Sequence, residues 1–217
     1  MLYRDYFMRL VQELAVVIAR VLFLKEQKKY DDALDLIRQN AKTLAGFDLD
    51  MVRHFSEEDL LRLFNLDDSA NVGKFIALAV LLKEEGSVFD GKGDEGSAYE
   101  SYTKSLVLYC EALKFTDIVD LNTYRNAVDE IIDYIISYKL SEPVILRLIK
   151  YYDMAGKFSK AEDLIFENLD KENILTAGIS FFKKLLLKKD DEIEAGELTR
   201  EEAERSLEEL NRHVINK

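Results

Sequence analysis

Few residues in this chain are of a type and spacing that could do chemistry, and each such group has a plainer reading beside the reactive one. His54 and His213 are its two histidines, and with no second histidine at helical spacing beside either, no zinc site can be written from them. Cys110 stands among Leu106, Val107, Leu108 and Leu113, where a thiol is an inert small hydrophobe. A cysteine nucleophile needs a nearby base, and the sequence names none. Asp90-Gly-Lys-Gly-Asp-Glu-Gly invites a calcium-loop or phosphate-loop reading. Calcium loops place oxygen ligands at alternate positions and a Glu at the twelfth, whereas Lys92 intrudes and Ser101 holds the last place. Phosphate would be repelled by Asp90, Asp94 and Glu95, and no Gly-Lys-Ser/Thr closes the loop. A solvated loop fits better.

Two further groups bear on binding. Phe181-Phe-Lys-Lys-Leu-Leu-Leu-Lys-Lys has the composition of a membrane-surface helix, with apolar residues flanked by lysines. Lysines at a helix C-terminus also complement the dipole, and ten acidic residues follow between Asp190 and Glu209, which argues against an anionic surface. Tyr134 and Tyr138, four apart, share a helix face, and Tyr151 and Tyr152 fall on the next helix. These four form the candidate binding surface, because clustered tyrosines present large rigid area with a polar tip. Core packing with each hydroxyl reaching the surface is the alternative. No catalytic residue, cofactor or metal ligand is assigned.

These residues must be positioned by helices. One Pro and nine Gly in 217 residues leave too few turns for an all-β chain, and the length suits one domain. Thirty Lys and Arg against forty-two Asp and Glu give a net charge of −12, which repels nucleic acid and favours a basic partner. A single cysteine and the absence of a signal pattern at Met1 point to the cytoplasm. The most apolar run, Leu14 to Leu24, has ten apolar residues around Arg20, about half of the roughly 20 a bilayer crossing needs.

From Leu2 to Gln27, Tyr3, Phe7, Leu10, Leu14, Ile18, Val21 and Leu22 recur at three and four residues, and beyond Leu14 the other faces turn apolar too. Such a helix is expected at the centre of the packing. A second helix is expected from Tyr30 to Leu44, stopped by Gly46. Ser56 with Asp59 resembles a capping box before Leu60, Leu61, Leu63 and Phe64. Val72 to Glu85 reads as a strongly apolar helix, and Gly86 to Ser97, with four of the nine glycines, as the one long flexible loop. Helices are expected near Glu95–Phe115, Asn122–Lys139, Glu142–Ala155, Lys157–Leu169, Ile174–Lys188 and Thr199–Ile215, with Ser141 as a cap before Pro143. In the last, Thr199 and Glu202 form a capping box, and Ala203, Leu207, Leu210 and Val214 make one narrow stripe.

Three segments share aromatic-x-x-Ala-x-Asp-x-Ile: Tyr30, Ala33, Asp35, Ile37; Tyr124, Ala127, Asp129, Ile131; and Phe158, Ala161, Asp163, Ile165. The last two lie 34 residues apart, and the alanine lets a paired helix approach beside the aromatic. Tyr152, Gly156, Phe158 and Ala161 resemble the consensus of a tetratricopeptide repeat. Leu24 to Ile37 looks like a degenerate copy with Lys28 in place of the glycine, and the stretch from Ala98 to Leu106 like a second helix of the same unit. The whole chain, from Met1-Leu-Tyr-Arg-Asp-Tyr-Phe-Met-Arg-Leu onward, also resembles an uncharacterised bacterial family, a domain of unknown function, a resemblance that implies no activity.

The expected fold is therefore all-α: an irregular superhelix of antiparallel, tetratricopeptide-like helix pairs, one domain over 1–217 with a terminal amphipathic helix at about 199–215. The expected function is a non-enzymatic protein-interaction module whose concave groove takes a peptide or helix of a protein partner. The residues that clamp a C-terminal carboxylate in some tetratricopeptide proteins are not matched, since Ala15, Ile18 and Ala19 stand there in the first copy and Pro143, Leu146 and Arg147 in the last. The alternatives are a small-ligand carrier or enzyme with a pocket at Tyr134, Tyr138 and Tyr152, and a structural homo-oligomer.

Overall fold

Apolar residues recur along this chain with a helical period, and the described residues accordingly carry helices and no strand. The computed structural model describes residues 2–62, 69–113 and 121–215. The chain divides into two compact units, Met1–Tyr138 and Lys139–Lys217.

The first unit contains α1 (Leu2–Glu26), α2 (Tyr30–Asn40), a π-helical turn (Ala41–Ala45), α3 (Leu49–His54), α4 (Glu57–Arg62), α5 (Ser69–Lys92), α6 (Glu95–Ala112) and α7 (Leu121–Ile135). Its centre is α5, not α1. Every residue from Phe75 to Leu82 is buried, so α5 needs cover on all sides, and it gets it from α1, α2, the π-helical turn and α6. On α1 only one side is buried, through Leu10, Leu14, Val17 and Val21, and Leu22 is 46% exposed. The expectation that α1 occupies the centre fails because its second apolar face finds no partner within this unit.

The expected flexible loop from Gly86 to Ser97 is also corrected. It is the last two turns of α5, a two-residue turn at Gly93 and Asp94, and the start of α6. Gly86 is helical because the Tyr102 ring lies on it: a Cβ there would fall 2.9 Å from Tyr102 Cγ. The helical cost of the glycine, about 1 kcal/mol, is offset by that close approach. The two helices run antiparallel, with Ser101 Oγ donating to Glu85 at 2.8 Å and Ser105 Oγ to the Ala79 carbonyl at 2.6 Å.

One turn recurs three times. After α1, α5 and α8 a single residue takes the left-handed conformation: Lys28 (φ 57°), Gly93 (φ 81°) and Gly156 (φ 69°). In each case the next amide reaches back five residues, Lys29 to Leu24 at 2.9 Å, Asp94 to Phe89 at 2.9 Å and Lys157 to Tyr152 at 2.8 Å. This is the Schellman closure. The following helix then begins with the amides of Ala33, Ala98 and Ala161 donating to the carbonyls of Lys29, Asp94 and Lys157. All three alanines are 0% exposed. Ala127, the alanine of the remaining segment, is only half-buried.

The second unit contains α8 (Glu142–Ala155), α9 (Phe158–Phe166), α10 (Glu172–Leu185), α11 (Asp190–Glu194) and α12 (Arg200–Ile215). α8 pairs with α9, and α10 packs on α8, α9 and α12. Ser141 precedes α8 with an extended backbone, but its hydroxyl makes no cap bond. The capping box of α12 forms as read: Thr199 N–H donates to Glu202 at 2.8 Å and Glu202 N–H to Thr199 Oγ1 at 3.2 Å. Its stripe is shorter than read. Ala203 and Leu210 are buried, Leu207 is half-buried and Val214 is 52% exposed. Arg200 ties α12 back to the turn that follows α10 by donating to the carbonyls of Leu186 and Lys188 at 2.9 and 2.7 Å.

Neither α3 nor α11 was anticipated, since helices of 6 and 5 residues carry too little periodicity to read. The second helix ends as a π turn before Gly46 (φ 80°). The Ser56–Asp59 box forms, at 2.6 Å between side chains. Leu63, Phe64 and Phe115 lie outside the described residues.

A non-glycine residue in the left-handed region costs about 1 kcal/mol or more. Lys28→Gly is therefore expected to stabilise the protein by about 1 kcal/mol and Gly156→Lys to destabilise it by a similar amount, read from urea midpoints. Ala161→Leu is expected to destabilise by about 1 to 3 kcal/mol through overpacking, and a parent-like melt would show that α8 and α9 have room to spare.

Candidate functional site

Tyrosines zip α6 to α7. Tyr99 meets Tyr138 with ring centroids 5.1 Å apart, Tyr102 meets Tyr134 at 4.6 Å, and Tyr109 meets Tyr124 at 5.7 Å. Tyr99 and Tyr102 stand one turn apart on α6, while Tyr134 lies in the last turn of α7 and Tyr138 in the turn that follows it, where its amide donates to the Ile135 carbonyl at 3.0 Å. Tyr134 and Tyr138 also stack on each other at 5.6 Å, and the Tyr138 hydroxyl donates to that of Tyr134 at 3.3 Å. Tyr102 is 8% exposed, whereas Tyr99, Tyr134 and Tyr138 are half-buried. The first unit thus presents a patch of three tyrosines resting on a fourth.

Burial pushes the Tyr102 phenol up to about 12, against a smaller downward pull from its bond to Ser87 and a further push from Asp90. Tyr134 is raised by burial first, then by its bond to Tyr138 and by Asp90. Burial likewise raises Tyr109 and Tyr124. These phenols stay protonated at neutral pH, so they act as hydrogen-bonding tips on apolar rings rather than as bases.

Of the four tyrosines read from the sequence, Tyr134 and Tyr138 come together in this patch. Tyr151 and Tyr152 belong to the second unit and are buried there, 2% and 5% exposed, with rings 5.8 Å apart and the Lys157 ammonium 5.9 Å from the Tyr151 centroid. Tyr99 and Tyr102 were missed, although the 34-residue-spaced pattern drew attention to α7 and both lie in the stretch from Ala98 that looked like a repeat helix.

The remaining candidates fall in place as packing groups. Phe181, Phe182 and Leu185 point into the core of the second unit, while Lys183, Lys184 and Leu187 line an open surface groove of about 390 Å³ with Thr176, Ile179 and Ser180. Among the described residues no helix is long and apolar enough to cross a membrane, and no group of three His, Cys, Asp or Glu is placed to hold a metal ion. His54 and His213 are exposed, and Cys110 is half-buried.

A buried charged cluster escaped sequence reading. Glu85, 0% exposed on α5, accepts from Arg53 of α3 at 2.6 Å and from Ser101 of α6 at 2.8 Å. Lys104, 6% exposed, donates to the Arg53 carbonyl and to Glu100, and the Arg53 guanidinium lies 4.8 Å over the Phe89 ring. Two cations meet two carboxylates, so the cluster is neutral and its carboxylate is doubly bonded. Chemically it is a pin that fastens α3 to the α5–α6 hairpin. Its only sequence signal is Glu84-Glu85 closing an otherwise apolar run.

Residues 1–214 match the family described as "Family of unknown function (DUF6483)". No curated protein and no solved structure matches the chain.

Removing one partner of a buried ion pair leaves the other charge unpaired. Glu85→Ala is therefore expected to destabilise the protein by about 3 kcal/mol or more, whereas Glu100→Ala, whose partner keeps the Arg53 carbonyl, is expected to cost under about 1 kcal/mol. Thermal melts of both variants check the difference.

Proposed function

The chain belongs to a family of unknown function, DUF6483, and for it we propose a non-enzymatic protein-interaction module of tetratricopeptide-like helix pairs, whose contact surface is the tyrosine patch of α6 and α7. The observation that carries this reading is the partial exposure of Tyr99, Tyr134 and Tyr138 side by side, with the Tyr134 and Tyr138 hydroxyls hydrogen-bonded to each other and the three rings in mutual contact. Rigid aromatic groups lose little conformational entropy on binding, which suits them to anchor a partner.

The three Schellman hairpins support the helix-pair reading. Their left-handed residues lie 65 and 63 residues apart, and each is followed five residues on by a fully buried alanine. The partner is a peptide or helix of basic character. The chain carries a net charge of −12, Asp90 acts on both Tyr102 and Tyr134, and Glu130 and Asp133 are exposed on α7. A cation beside tyrosine faces also gains cation–π attraction.

Affinity capture from native lysate with the intact chain, read by mass spectrometry, tests this. A basic partner is expected that Tyr99→Ser with Tyr138→Ser loses by at least about tenfold while circular dichroism stays unchanged. Equal recovery by the parent and the double variant would sink the reading.

A further inference from the structure

The open groove of the second unit lies along α10 and is lined by Thr176, Ile179, Ser180, Lys183, Lys184 and Leu187. Helical spacing puts these positions on the side of the helix opposite Gly178, Phe182 and Leu185, which are buried, Gly178 against Leu210 of α12. Leu187 sits in the turn that follows α10, where its amide donates to the Lys184 carbonyl at 3.1 Å. At 87% it is the most exposed large apolar side chain among the described residues. Lysines near a helix C-terminus complement the dipole, which accounts for Lys183 and Lys184 but not for Leu187. The carbonyls of Leu186 and Lys188 at that end already accept from the Arg200 guanidinium at 2.9 and 2.7 Å.

We propose that this groove takes a short acidic, amphipathic peptide helix of another protein, whose apolar side chains lie along Ile179 and Leu187 and whose carboxylates meet Lys183 and Lys184. The proposal is independent of the tyrosine patch, which belongs to the first unit and suits a basic partner. Charge selects the occupant. From Asn173 to Lys189 the chain holds Lys183, Lys184, Lys188 and Lys189 and no Asp or Glu, although the whole chain carries −12. Lys42, Lys83, Lys92 and Lys104 each meet a carboxylate. Among the described residues Lys183 and Lys184 stand in no ion pair, and both are exposed, so their ammonium groups are available to a partner.

Shape and surroundings narrow the choice further. Thr176 and Ser180 are small and leave the floor low, while Ile179 and Lys183, one turn apart, stand to one side of them and Lys184 to the other. Ile179 and Leu187 are separated by about 12 Å at the helical rise, close to the span of two apolar anchors seven apart on a helix. A membrane, a nucleic acid or a second copy would also bring negative charge, but across a wide front. Asp191, Glu192 and Glu194 are exposed a few residues past Leu187, within about a Debye length of 10 Å of such a front, and two copies at −12 each repel. A short segment that ends at Leu187 meets the lysines and not the acids.

Fluorescence anisotropy with the intact chain tests this, using a labelled helical peptide that carries two leucines seven apart with glutamates around them and no basic residue. Saturable binding is expected, weakening as added salt screens the lysines. Lys183→Glu with Lys184→Glu is expected to weaken it at least about tenfold and Leu187→Ser several-fold, each with an unchanged helical spectrum because these side chains are exposed. The counterpart peptide with lysine in place of glutamate is expected to bind the Lys183→Glu, Lys184→Glu variant better than the parent. Tyr99→Ser with Tyr138→Ser leaves the binding unchanged, which separates this groove from the tyrosine patch. A peptide that does not bind, or that the lysine variant binds as well as the parent does, overturns the proposal. So does equal binding of a counterpart with glutamine in place of glutamate. Vesicles containing phosphatidylserine that bind the parent, where the peptide does not, overturn it in favour of a membrane surface.

Discussion

The structure of the first unit depends on the need to cover α5 on all sides. A helix whose residues from Phe75 to Leu82 are all buried cannot lie at a surface, and no single partner can enclose it. α6 takes one side through the Gly93 turn, α1 and α2 take another, and the π-helical turn closes against it. Enclosure has a consequence for polarity. Glu85 lies at the end of the apolar run with no exposure, and its charge is tolerable only because Arg53 and Ser101 arrive from two other helices. The same burial that drives the packing therefore dictates where α3 must sit.

Two kinds of aromatic placement divide the work between the units. In the first, Tyr99, Tyr102, Tyr134 and Tyr138 hold α6 to α7 while three of them keep part of their surface in solvent. In the second, Tyr151 and Tyr152 are enclosed, and Phe181 meets Phe158 tilted and Phe182 edge-to-face, with centroids 6.3 and 5.0 Å apart. Only the first of these two arrangements leaves rings part-exposed. Burial raises the Tyr102 and Tyr134 phenols above their ordinary value, so at neutral pH these two add neutral hydrogen-bonding groups to apolar ring area.

Particular residues show how much of this was legible. Thr199 with Glu202 and Ser56 with Asp59 were legible because a capping box is a contact between residues three apart. Tyr134 and Tyr138 were legible as neighbours for the same reason. Gly86 and Gly91 were misread as a loop because their compensation is distant: the rings of Tyr102 and Tyr30 fill the space their missing side chains leave. Lys28 was read as a departure from glycine, yet its backbone takes the glycine's conformation, since the Schellman bonds and the helices on either side outweigh the local cost. Tyr99 and Tyr102 were missed because nothing local marks them as the partners of Tyr138 and Tyr134.

By itself the sequence determined that this chain is helical and roughly where most helices lie, because periodicity and capping act over three to five residues. Of its three patterned alanines, Ala33 and Ala161 are fully buried and Ala127 only half-buried. Only the tertiary structure decided which apolar faces are covered. α1 and α5 both read as helices apolar most of the way round, and nothing in either segment says that α5 would be enclosed and α1 left with Val16 and Phe23 in solvent. The reason is that burial belongs to a pair of surfaces. A residue's own neighbours along the chain set its direction from the helix axis, and what lies in that direction is set by segments tens of residues away.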